Sequence, residues 1–89
     1  MQFEWDEKKA EANLHKHGVS FGEARSVYED ILSAILPDED HSIDEERWLA
    51  LGMSNRFRVL VVCFGERGSK IRIISARKAT KQEIKKYES

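Results

Sequence analysis

The segment Arg58–Phe64, RVLVVCF, constrains this 89-residue chain more than any other feature. Its apolar run from Val59 to Phe64 leaves a strand no polar face, so it reads as the most buried strand of the fold. The run is also far too short to span a membrane. A turn follows at 65–69 (GERGS), then a second strand, Lys70–Ser75, in which Arg72 alternates with Ile71 and Ile73. Short connections between such strands imply an antiparallel meander. Leu32–Leu36, stopped by Pro37, and Arg47–Met53 read as further strands, and Gln2–Trp5 as an opening one.

Helix signals fill the remainder. Asp6 stands where an N-cap belongs, before the helix formers of Glu7–Lys16, and Gly18 suits the residue after that helix. Ser20-Phe21-Gly22-Glu23 is an S-x-x-E capping box opening a helix that runs to about Asp30. Thr80-Lys81-Gln82-Glu83 is a second box opening a C-terminal helix. The polar stretch Asp38-Glu39-Asp40-His41-Ser42 reads as a loop. The predicted order is β-α-α-β-β-β-β-α. It gives one α+β domain over residues 1–89, with helices packed on one face of a small antiparallel sheet.

The net charge of −1 conceals two unlike halves. Residues 1–46 hold 13 acidic and four basic side chains, and residues 47–89 hold 11 basic and three acidic ones. One half could offer a basic face to phosphate and the other an acidic face to a basic protein, or the two could neutralise each other on folding. The lone Cys63 allows no internal disulfide and fits a reducing, cytoplasmic setting. Nothing at the N-terminus reads as a signal peptide.

Several stretches resemble the BrnT family of type II toxins. They are Phe3-Glu4-Trp5-Asp6, then Asn13, Lys16-His17-Gly18-Val19-Ser20-Phe21, Ala24 and Asp30. His41-Ser42, Glu46-Arg47 and Gly52 follow. The most telling is Glu66-Arg67-Gly68 with Ile71-Arg72-Ile73-Ile74-Ser75-Ala76-Arg77-Lys78-Ala79-Thr80, before Glu83 and Tyr87. The chain departs from the family at Gly65, where a threonine is common. The resemblance implies a RelE-like fold and RNA cleavage that arrests growth. It also implies neutralisation by a ribbon-helix-helix antitoxin, in a heterotetramer that touches DNA only through the antitoxin.

Metal-free RNA cleavage needs a base for the 2′-hydroxyl, cations on the phosphoryl oxygens and an acid for the leaving oxygen. Arginine suits the second role because its planar fork matches phosphate and stays charged. On these grounds Arg72 and Arg77 are expected to be catalytic, with Glu46 as base and His17 as acid or base. Arg47, Arg67 and Lys78 are expected to hold phosphate. No metal and no cofactor is expected. Each residue also has an ordinary reading. Arg72 would be a solvent-facing strand residue, and Arg77 and Lys78 a solvated corner. Arg67 would be part of a charged turn, Glu46 half of a cross-strand ion pair, and His17 a cation favoured by the helix dipole. His41, among Asp38, Asp40 and Asp44, lacks a metal-ligand spacing and reads as loop. Cys63, Trp5 and Trp48 read as core, and Tyr87 as a weak candidate for stacking on a base. The alternative to an enzyme is a non-catalytic partner that binds an antitoxin and modulates its hold on DNA.

Overall fold

The computed structural model describes residues 2–38 and 46–89. His41 and Ser42, with the acidic loop around them, lie outside the described residues. The elements are β1 (Gln2–Glu4), α1 (Glu7–His17), α2 (Phe21–Ser26) with a 3₁₀ turn (Val27–Glu29), β2 (Ala34–Pro37), β3 (Arg47–Met53), β4 (Val59–Arg67), β5 (Lys70–Lys78) and α3 (Lys81–Glu88). The expected α+β order holds. The strands form one sheet in the order β1-β5-β4-β3-β2. It is antiparallel from β2 to β5, as predicted, but β1 lies parallel to β5, pairing Gln2 with Lys70 and Glu4 with Arg72. The sheet is therefore mixed. A long excursion through α1, α2 and three strands separates β1 from its partner, so no tight hairpin fixes their direction.

The helix ends follow their caps. Asp6 accepts from the amides of Lys8 and Lys9 at 2.8 and 3.4 Å. Gly18 closes α1 at φ +68°, where a side chain would be strained. Thr80 and Glu83 complete their reciprocal box. The box at Ser20 is only half formed. Its hydroxyl caps Glu23 N at 3.0 Å, but the Glu23 carboxylate turns instead to Arg58 and Ser54. A cation offers that carboxylate more than a backbone amide does.

The core lies between the helices and one face of the sheet. Val19, Phe21, Ala24 and Val27 meet Ala50, Leu60, Val62, Phe64, Ile73 and Ala76. Asn13, buried under α1, donates to Val19 O and Ala76 O at 2.9 Å each and accepts from Ala76 N at 3.1 Å. It thereby saturates its amide against backbone that has no strand beside it. The Tyr28 ring packs edge-on to Phe3 and Phe64. Among the described residues its buried hydroxyl has no hydrogen-bond partner. Removing such a hydroxyl removes a desolvation cost and no bond. Tyr28→Phe is therefore expected to melt at or slightly above the parent temperature. A loss of more than about 1 kcal/mol would show that the hydroxyl is bonded.

One irregularity positions the site. Along β4 and β5, Cys63 faces Ser75 but the next residue, Phe64, faces Ile73, so Ile74 is an extra residue, a β-bulge. Strict alternation would send Arg72 and Arg77 to opposite faces. The bulge resets the phase and puts both on the face away from the core formed with α2.

Candidate active site

That open face has a cavity of about 340 Å³ lined by His17, Asp38, Arg47, Leu49, Val61, Cys63, Ile74, Ser75, Ala76 and Arg77. Its floor is strand. Leu49 faces Cys63 across β3 and β4, and Val61 faces Arg77 across β4 and β5. Its polar groups come from four separate elements. His17 ends α1, Asp38 follows β2, Arg47 opens β3 and Arg77 stands near the end of β5. Backbone pairing continues one residue past β2, with Asp38 N donating to Arg47 O at 2.9 Å. This holds the buried Asp38 at the cavity margin.

Three residues named from the sequence, His17, Arg47 and Arg77, thus share one cavity. Arg72 does not line it but stands close by on the same face. Gly65 pairs with Arg47 on one side and Arg72 on the other. Glu46 is exposed just before β3 and lines no part of the cavity. Arg67 and Lys78 are exposed at the ends of β4 and β5. The β4–β5 turn is tighter than the sequence suggested. Pairing runs out to Arg67 and Lys70, leaving Gly68 and Ser69 as the loop, with Gly68 at φ +60°. Tyr87 is half-buried, its hydroxyl donating to Asp30 Oδ2.

Sequence reading missed two acidic groups. Asp38 was assigned to the polar loop, and only the pairing past Pro37 brings it inward. Glu83 does more than cap α3. Its carboxylate takes both arms of the Arg77 fork, Nη1 to Oε1 at 2.8 Å and Nη2 to Oε2 at 3.0 Å. The pair is half open to solvent, with Arg77 43% and Glu83 30% exposed. The Arg77 guanidinium, helped by the Thr80 amide, holds the Glu83 carboxyl down at about 2. A carboxylate with a lowered folded pKa stabilises the fold above its ordinary value, and that contribution fades as pH falls through the folded value. The α3–β5 contact is therefore expected to hold at neutral pH and to be lost between pH 4.5 and about 2. Carboxyl NMR should find Glu83 titrating near the lower figure; titration near 4.5 would mean the ion pair is not formed in solution.

Cys63 also faces the cavity, its thiol donating to Asp38 Oδ2 at 3.6 Å. Burial, then the nearby Asp38 charge, pushes the thiol up to about 11. It stays protonated at neutral pH and is a poor nucleophile. The arrangement is two guanidinium cations facing an imidazole and a carboxylate across a floor of apolar side chains. Guanidinium groups suit phosphate oxygens, and an imidazole and a carboxylate are groups that can carry protons.

Comparison with known proteins identifies the family. A family model described as the ribonuclease toxin BrnT of type II toxin–antitoxin systems matches residues 5–83. Among solved structures, the ribonuclease toxin BrnT of Brucella abortus superposes with a TM-score of 0.71 at 28% sequence identity, covering 91% of this chain and 99% of that one. No curated protein sequence matches the chain.

Proposed function

The chain belongs to the BrnT family, the ribonuclease toxins of type II toxin–antitoxin systems, and from that premise we propose that the cavity on the open sheet face is where it cleaves RNA. Arg47 and Arg77 bind the scissile phosphate and neutralise the charge that grows on its oxygens. Asp38 takes the proton of the ribose 2′-hydroxyl. The 2′-oxygen then forms its bond to phosphorus while the bond from phosphorus to the 5′-oxygen breaks. His17 gives that leaving oxygen its proton. The products are a 2′,3′-cyclic phosphate end and a 5′-hydroxyl end. Arg72 extends the positive face, while Arg67 and Lys78 hold flanking phosphates. Two guanidinium groups supply the cationic charge, so the reaction needs no metal.

The observation that carries this reading is the meeting of Arg47 and Arg77, from strands on either side of β4, with His17 and Asp38 in one cavity. Glu46, exposed and outside the cavity, gives up the role of base to Asp38. In the cell the chain acts in the cytoplasm and arrests growth by degrading RNA. Its antitoxin is of the ribbon-helix-helix kind, and the two form a heterotetramer.

The test is cleavage of RNA by the purified chain in EDTA, with the product ends identified. Cleavage to cyclic phosphate ends is expected, and induction without the antitoxin should stop growth. A strict need for a divalent cation would overturn the arginine mechanism. A folded chain that neither cuts RNA nor harms cells would instead be a non-catalytic antitoxin partner.

A further inference from the structure

The turn between β3 and β4 carries a residue that folding does not explain. Ser54 N donates to Arg58 O at 2.8 Å and Phe57 N to Ser54 O at 3.0 Å, closing a tight loop. Phe57 sits in it at φ +61°, a left-handed conformation that glycine or asparagine adopts far more readily than a bulky side chain. Its ring packs into no core and is 85% exposed. The position thus incurs backbone strain and displays an aromatic face to water.

The surroundings are cationic. Arg56, 71% exposed, and Arg58 flank Phe57 in sequence, and the buried carboxylate they approach, Glu23, offsets only one of the two charges. Lys78, opposite Leu60, ends β5 nearby. The turn does not line the cavity but adjoins residues that neighbour it. Arg58 Nη2 donates to Gly18 O at 3.1 Å, beside His17, and Val61, four residues beyond Phe57, faces Arg77. Only the part from Val59 onward is strand, so at about 3.3 Å per residue the backbone separation is at most roughly 13 Å, within reach of a short oligonucleotide.

We propose that Phe57 is a stacking platform for an unpaired base of the RNA substrate, next to the phosphate held at Arg77, with Arg56 and Lys78 on the adjoining backbone. Aromatic faces between cations bind single strands through stacking and charge together. The neighbouring cations favour RNA over a protein partner as the occupant. This inference rests on the cavity being the site of cleavage.

The experiment compares Phe57→Gly and Phe57→Trp with the parent, on a short single-stranded RNA and on a duplex of the same sequence. Glycine relieves the strain, so Phe57→Gly should melt at a higher temperature. Its KM for the single strand should rise about tenfold with kcat nearly unchanged, and Phe57→Trp should restore KM. The duplex, whose bases are stacked already, should show no difference between variants. A parental KM for Phe57→Gly on the single strand would overturn the proposal. So would an unchanged KM joined to weakened antitoxin binding, which would assign the turn to the protein partner. Arg77→Ala, run beside them, separates the two ideas. Full activity there would refute the cavity as the site, whatever the Phe57 variants do.

Discussion

Arg77→Ala is expected to slow RNA cleavage by a factor of about 10² to 10³ while leaving the fold in place, the usual cost of removing one donor aimed at developing charge. Activity and stability separate here because of where the residue stands. Its partner Glu83 remains 30% exposed and keeps its bonds to the Thr80 amide and hydroxyl. Losing a half-exposed ion pair costs no more than about 1 kcal/mol. Arg77→Lys should recover only part of the rate, since a single ammonium cannot both keep the Glu83 pair that orients it and meet a phosphate. Single-turnover cleavage with thermal melts on the same samples would decide the matter. An Arg77→Ala chain with more than half the parental rate would remove this residue from the chemistry.

Arg58→Ala should have the opposite signature, a large loss of stability. Glu23 is 3% exposed at its side chain and Arg58 25%. The carboxylate receives Arg58 Nε at 2.9 Å, a second bond from Nη2, and the Ser54 hydroxyl at 2.6 Å. The Arg58 bond above all holds the Glu23 carboxyl below its ordinary range. Without the arginine, a buried negative charge keeps only a hydroxyl and a distant Arg56, 4.0 Å away. Breaking such a pair from one side typically costs about 3 kcal/mol or more. In a domain this small that is a large part of the whole stability, and melting should fall by about 12 °C or more. Glu23→Gln combined with Arg58→Ala should recover much of the loss, because no charge is then left buried. Equal stability of the parent and Arg58→Ala would mean that water reaches Glu23 freely.

The elements that could be read from sequence are those set by local chemistry. Asp6, Ser20 and Thr80 start helices because each side chain reaches amides two or three residues on. The apolar run at Val59–Phe64 identified the central strand because no other element of this length tolerates it. What escaped depends on distant partners. A single extra residue in β5 decides which face Arg77 occupies, and alternation alone gives the wrong answer. Asp38 enters the cavity through backbone pairing with Arg47, nine positions on. Glu23 leaves its capping box for an arginine thirty-five positions away. Arg47, Arg77 and His17 were named from residue type and resemblance, and their meeting in one cavity required the sheet order. The Arg-Phe-Arg triplet at 56–58 was visible in the sequence, but its meaning rests on a backbone angle that no side-chain pattern announces.

The pairing of β1 with β5 bears on how such a toxin is made. Gln2 finds its partner only at Lys70, and the cavity needs residues 17, 38, 47 and 77 together. Contacts this far apart in sequence form late and slowly. A chain still emerging from the ribosome has no finished sheet edge, no bulge and no second cation. On the proposed mechanism, a chain whose β5 has not yet paired has no Arg77 in the cavity and is not expected to cleave RNA. Assembly of the cavity is thereby coupled to completion of the sheet: the pairing of β5 with β4 must be in place before Arg77 can join Arg47.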